Sequence, residues 1–150
     1  MKPAMLAILL ASSTLFACDK EDQDLAPDKV PAEVKASLVK TFTNAINFEW
    51  EKKEANYEVD FDMNTVEYSA LFTASGEMLM HKYDITATEL PEEVKTVITQ
   101  HYTDYRIDDA EVVDKAGTRY YQVDLKKDNM EKRVVLAADG QEQAQISYWD

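Results

Sequence analysis

The sequence predicts an α+β fold built by tandem duplication. A helix followed by a four-stranded antiparallel meander occurs twice, and the two meanders join into one sheet of about eight strands with both helices on one face and the other face free. Three observations carry this. Short segments recur: Pro31-Ala-Glu33-Val34-Lys35 returns as Pro91-Glu-Glu93-Val94-Lys95 after sixty residues, while Tyr57-Glu-Val59-Asp60-Phe61 returns as Tyr121-Gln-Val123-Asp124-Leu125 and Ala74-Ser-Gly76-Glu77 as Ala138-Asp-Gly140-Gln141, both after sixty-four. Apolar residues first recur every four positions, then every two. Turn-forming residues fall between the alternating runs.

Taken in order, residues 1–17 carry one early charge, Lys2, and then an uncharged apolar run, the layout of a secretory signal peptide. The run stops at Asp19, short of the roughly 20 apolar residues that a membrane-spanning helix requires. Leu15-Phe16-Ala17-Cys18 resembles the lipobox of bacterial lipoproteins, with leucine three places before the cysteine and a small residue directly before it. That resemblance implies a thioether-linked diacylglycerol on Cys18, whose acyl chains, at about 0.8 kcal/mol per buried methylene, hold a domain on a membrane by lipid alone. Ordinary cleavage after Ala17, leaving a free cysteine, is the other reading. Residues 18–29 are polar, carry Pro27, and read as the lipidated cysteine and a flexible tether. Lys20-Glu21-Asp22 is similar to the lysine-plus-two-acids signal that sends some lipoproteins to the outer face of the outer membrane, and reads equally as a solvated linker. The expected location is the outer membrane, facing the periplasm or the cell exterior.

Residues 30–150 form the expected domain, in units 30–88 and 89–150. Each opens with a proline suited to a helix's first turn, then acids, then a stripe: Val34, Leu38 and Phe42, matched by Val94, Ile98 and Tyr102. Ile46, Phe48 and Trp50 then alternate with polar residues, as do Tyr57, Val59 and Phe61, so each set is expected to face the core. Turns are expected at 54–56, 63–65 and 75–76, and in the second unit at 116–117, 128–129 and 139–140.

The order of these landmarks resembles the PepSY-like family of exported bacterial proteins, also described as β-lactamase-inhibitor-like. The matching residues are Leu90-Pro91-Glu-Glu-Val94, the Trp50 strand, Tyr57-Glu-Val-Asp-Phe61, the approach to Gly76 from Phe72, and Tyr121-Gln-Val123 followed by Asp139-Gly140. The resemblance implies a helix-and-sheet binding module with no catalytic residues to transfer.

Composition narrows function. A content of 45% apolar and 10% aromatic residues suffices for one core in 150 residues. A formal net charge of -13 opposes nucleic acid and anionic headgroups, so contact with a membrane is expected through the lipid anchor only. One cysteine excludes an internal disulfide, and two histidines in different contexts, His81 and His101, give no zinc-site spacing. Asp60-x-Asp62-x-Asn64 begins like a calcium loop, but Thr65 stands where the turn needs glycine and Leu71 where the loop needs glutamate, so a hairpin explains it better. No GxSxG elbow, P-loop or HExxH helix is present. The expectation is a protein without cofactor, metal site or enzymatic activity.

If Ala70, Phe72, Val134 and Leu136 face the helices, Leu71 and Val135 point from the free face, and Tyr120 and Trp149 join them, since Tyr121 and Tyr148 take the inward parity. Such a patch would be a site for a protein or peptide partner, with an exported peptidase as a partner the inhibitor-like resemblance implies. Cover by neighbouring strands or by the chain's last residues is the competing reading of the patch. Other functions consistent with the sequence are a structural lipoprotein of outer-membrane assembly and an acidic carrier of small ligands or cations.

Overall fold

The structure, a computed structural model, describes residues 23–150. The expectations for residues 1–17, for Cys18 and for the Lys20-Glu21-Asp22 segment lie outside the described residues. Two ten-residue helices, α1 (Ala32–Thr41) and α2 (Glu92–His101), pack on one antiparallel sheet. Its seven long strands are β2 (Ile46–Lys53), β3 (Asn56–Met63), β4 (Val66–Phe72), β5 (Met78–Asp84), β6 (Arg106–Lys115), β7 (Thr118–Lys127) and β8 (Met130–Ala137), in chain order across the sheet. A two-residue strand, β1 (Gln23–Asp24), pairs with Lys52 and Glu51 at the edge. Among the described residues no helix is long and apolar enough to cross a membrane.

Each helix starts at a proline, Pro31 or Pro91, whose fixed φ near −55° suits helix entry and whose carbonyl accepts from Lys35 or Lys95. Acids follow in the first turn, Glu33 in α1 and Glu92 with Glu93 in α2, where they complement the helix dipole. Both stripes are buried: Val34, Leu38 and Phe42, and Val94, Ile98 and Tyr102.

Strand register places both helices over the same sheet face. Directly paired residues share a face, and one row runs Phe61, Tyr68, Tyr83, Val112, Tyr121, Leu136 from β3 to β8 beneath the helices. The core under α1 contains Trp50, Val59, Phe61, Ala70 and Phe72, and the core under α2 contains Ala110, Val112, Val123, Leu125, Val134 and Leu136. Fully burying each large side chain stabilises by about 1.5–3 kcal/mol. Neighbouring rows alternate onto the opposite face, which carries no helix.

Every expected turn lies where the sequence places it. Asn64 and Thr65 have φ of 53° and 67°, the paired positive angles of a tight hairpin, so Asp60 and Asp62 are strand residues.

Three expectations are corrected. Ile46 and Phe48 are 58% and 40% exposed instead of buried. A bulge between Ile46 and Glu49, with Asn47 at φ 59°, turns Ile46 onto the face of its partner Asp62 and leaves Phe48 at the margin of the core, its ring 6.3 Å from Phe61. The second meander has three strands, not four: after β8 the chain makes one bridge, Leu136 to Glu142, and then leaves the sheet plane. Ordered structure also begins before Val30, because Leu25 donates its N–H to the Trp50 carbonyl at 2.7 Å and packs on the first core.

The hairpin turns after β4 and β8 press against the helices. A Cβ on Gly76 would stand 2.6 Å from the Glu33 carbonyl oxygen, and one on Gly140 would stand 2.9 Å from that of Glu93, while Gly117 has nothing within 4 Å. All three have positive φ. Gly117→Ala is therefore expected to cost about 1–2 kcal/mol from backbone strain alone, and Gly76→Ala about 1–3 kcal/mol more from overpacking. Urea denaturation of the two variants measures this, and equal losses would remove the close-approach argument.

Candidate functional site

Among the described residues three polar side chains are buried, Glu58, Glu111 and Gln122, and all point from the helix-free face. Their cover is residues 146–150. Gln122, 1% exposed, accepts from the Trp149 backbone N–H through Oε1 (2.7 Å) and donates from Nε2 to the Trp149 carbonyl (2.9 Å) and to Glu111 Oε2 (2.9 Å). One side-chain amide thus pairs with both backbone groups of one residue, as a neighbouring strand would. Lys82 Nζ donates to the same carbonyl (3.1 Å) and pairs with Glu111 Oε1 (2.9 Å). The Trp149 indole N–H reaches across to Glu58 Oε2 (2.8 Å), and Lys53 lies 3.6 Å from the other Glu58 oxygen. Arg133 pairs with Asp150 and stands 5.1 Å over the Tyr148 ring.

Burial pushes the Glu58 carboxyl above its usual range, opposed by the indole hydrogen bond and then by Lys53. Burial also raises the Tyr148 hydroxyl well above an ordinary phenol, with Glu111 and Asp124 adding to it. Both groups therefore meet a partner at a cost in desolvation that their hydrogen bonds must offset.

Of the residues expected to form the patch, Tyr120, Val135 and Trp149 line one cavity of about 160 Å³ between the sheet and residues 146–149. Leu71 stands outside it, paired with Met80, which lines it. Val135 is buried at 5% exposure, and Leu71, Tyr120 and Trp149 are half-buried. Tyr148 does not take the inward parity: it lies on the helix-free face beside Trp149, because residues 146–150 form no strand and have no alternation to obey.

The residues missed by sequence reasoning are Glu58 and Gln122. They occupy one position of the repeat, the second residue of Tyr57-Glu58-Val59 and of Tyr121-Gln122-Val123, and both grip Trp149. The signal was the glutamine, an uncharged residue where the first unit has an acid.

Beside this clamp the same face holds an acidic cleft of about 410 Å³ lined by Glu67, Asp84, Asp109 and Glu111 among others, with Lys53 and Lys82 as its cations. Among the described residues no group of three or more His, Cys, Asp or Glu could hold a metal ion. His81 packs 5.6 Å from the Phe42 ring, and burial lowers its basicity against the opposing pull of Asp114 at 3.6 Å. His101 is exposed at the end of α2.

The family described as "Putative beta-lactamase-inhibitor-like, PepSY-like" matches residues 17–68 and 62–141. The chain belongs to the PepSY-like family. The first match ends within β4 and the second ends just after β8, so together they take in both helices and all seven long strands. Among solved structures, a DUF2874 family protein from Bacteroides uniformis is 22% identical with TM-score 0.70, and alignment covers 75% of this chain and 85% of that one. A protein of Bacteroides eggerthii described as "putative periplasmic" is 23% identical with TM-score 0.71 over the same shares. A BLIP-like protein of Bacteroides fragilis is 20% identical with TM-score 0.66, covering 75% of this chain and 83% of that one. These likenesses establish the fold. No curated protein matches the chain.

The cleft has a pH signature. Partial loss of solvation at the cleft, then the carboxylates of Asp109, Glu111 and Glu67, push the carboxyl of Asp84, an exposed residue at the end of β5, up to about 6 from 3.8. The folded state therefore binds more protons than the unfolded state between about pH 4 and pH 6, so the contribution of Asp84 to stability falls as pH rises through that window. Asp84→Asn is expected to raise the melting temperature more at pH 8 than at pH 4.5, and a gain independent of pH would contradict the assignment.

Proposed function

We propose that this PepSY-like protein is a non-enzymatic, lipid-anchored protein of the cell envelope that binds a protein or peptide partner on its helix-free sheet face. The observation that carries the reading is the two-sidedness of the sheet: helices cover one face, while the other leaves Leu71, Tyr120 and Trp149 half-exposed among charged residues, with Val135 buried beneath residues 146–149. An antiparallel sheet needs only one covered face for stability, which leaves the second available for recognition. The family description and the BLIP-like neighbour support an inhibitor-type module, and an exported peptidase is the partner class this suggests. The neighbour described as periplasmic supports an envelope location.

The proposed layout is a signal peptide at 1–17, a lipidated Cys18 with a short linker, and a domain that takes in the edge strand at Gln23–Asp24 and arose by duplication of a helix-plus-meander unit. Cys18 anchors it to the outer membrane, facing the periplasm or the cell surface. Cys18→Ser is expected to abolish labelling by a palmitate analogue and to release the protein from membranes; retention of both label and membrane association would sink the anchor.

For the face, Leu71→Asp combined with Tyr120→Asp suits the test better than a charge at buried Val135, which would cost stability as well as binding. Crosslinked partners recovered from intact cells with the wild type are expected to be lost with the double variant. Identical recovery, with the variant folded by circular dichroism, would overturn the binding face.

A further inference from the structure

We propose that the helix-free face contains a built binding site for an extended peptide bearing two adjacent aromatic residues, the second tryptophan, followed by an acid, and that Tyr148-Trp149-Asp150 occupies this site in cis. The inference rests on the reading of this face as the partner surface and names the chemistry that surface accepts.

Each part of the segment meets a group suited to it. Gln122 pairs with the N–H and the carbonyl of Trp149, which any peptide backbone offers. Glu58 reads the indole N–H, a donor that phenylalanine lacks. Lys82 reinforces the carbonyl and lies 5.5 Å from the indole ring centroid, and Arg133 covers the preceding aromatic ring and pairs with the following acid.

The segment is seated without being packed. A cavity of about 160 Å³ lies beneath it, lined by Met80, Val113, Tyr120 and Val135 from the sheet and Ile146 from the segment. Residues 146–150 add no strand to the sheet, and Ile146, Tyr148 and Trp149 are only half-buried. Contacts that are polar, specific and held by one short segment are those that a competing peptide of the same chemistry can replace.

The test uses a blocked, fluorescein-labelled peptide, Gln-Ile-Ser-Tyr-Trp-Asp, and fluorescence anisotropy. Trp149→Ala, which takes the indole out of the site and leaves the segment held by its backbone alone, is expected to bind the peptide at least about tenfold more tightly than the wild type; adding Gln122→Ala should weaken binding by about tenfold, the worth of one well-made pair of hydrogen bonds. A peptide with alanine for tryptophan should not bind. Amide hydrogen exchange on the wild-type chain supplies a readout that needs no variant. The Trp149 amide is expected to exchange faster than that of Val123, and faster still with excess peptide. Exchange of Trp149 only on global unfolding, unchanged by peptide, would overturn the proposal, as would peptide binding indifferent to Gln122→Ala. Exchange of the segment between two copies, seen as dimers by light scattering without peptide uptake, would also overturn it. If peptide binding fails while partner recovery still depends on Leu71 and Tyr120, only this inference falls.

Discussion

The carbonyl oxygens of Glu33 and Glu93 lie only 2.6 and 2.9 Å from where a Cβ would stand on Gly76 and Gly140, so each helix N-terminus rests directly on the hairpin turn of its own meander. Helix and sheet are thereby brought close enough for Val34 and Val94 to be fully buried, and the remaining stripe residues follow along the helix axis. A side chain at either glycine would lift the helix from the sheet and open the core beneath it. The positive φ at both positions adds a second reason for glycine there.

The two faces of the sheet do different work. Beneath the helices the residues are mostly apolar and buried, and their contribution is packing. On the other face buried polar groups are joined through one short segment, with Glu58 and Gln122, one position in two repeats, recognising different parts of Trp149. Divergence at a single position of the repeat supplies a carboxylate for an indole N–H and an amide for a backbone. The charged cleft alongside belongs to the same face and carries its excess of acids.

Much of the fold was legible in the sequence because its signals are local. The stripes of α1 and α2 follow from spacing by four, and the turns from glycine, asparagine and aspartate at positions that require positive φ, as at Asn64, Gly76, Gly117 and Asp128. The bulge at Asn47 was not legible, since alternation through Ile46, Phe48 and Trp50 is unbroken and only pairing with β3 reveals the extra residue. Residues 146–150 were misread for a similar reason: Tyr148 and Trp149 suit a strand by propensity, and their place is decided by hydrogen bonds to Gln122, Lys82 and Glu58, from distant parts of the chain. The face that Leu71, Tyr120 and Val135 share could be read from parity, but the burial of Glu58 and Gln122 could not.

The two cores do not merge. Phe61 and Phe72 belong to one and Leu125 and Leu136 to the other, and they communicate across the pairing of β5 with β6 and the row in which Tyr68 stacks on Tyr83 at 5.2 Å. In this respect the domain is built as an array of two modules with one nearest-neighbour coupling, an arrangement in which cooperativity is expected to follow the strength of that seam more than total buried area. Lys82 and Glu111, paired across the seam on the other face, strengthen the coupling from the side where the Trp149 clamp sits. Occupancy of that face is therefore linked to whether the molecule melts as one unit or as two.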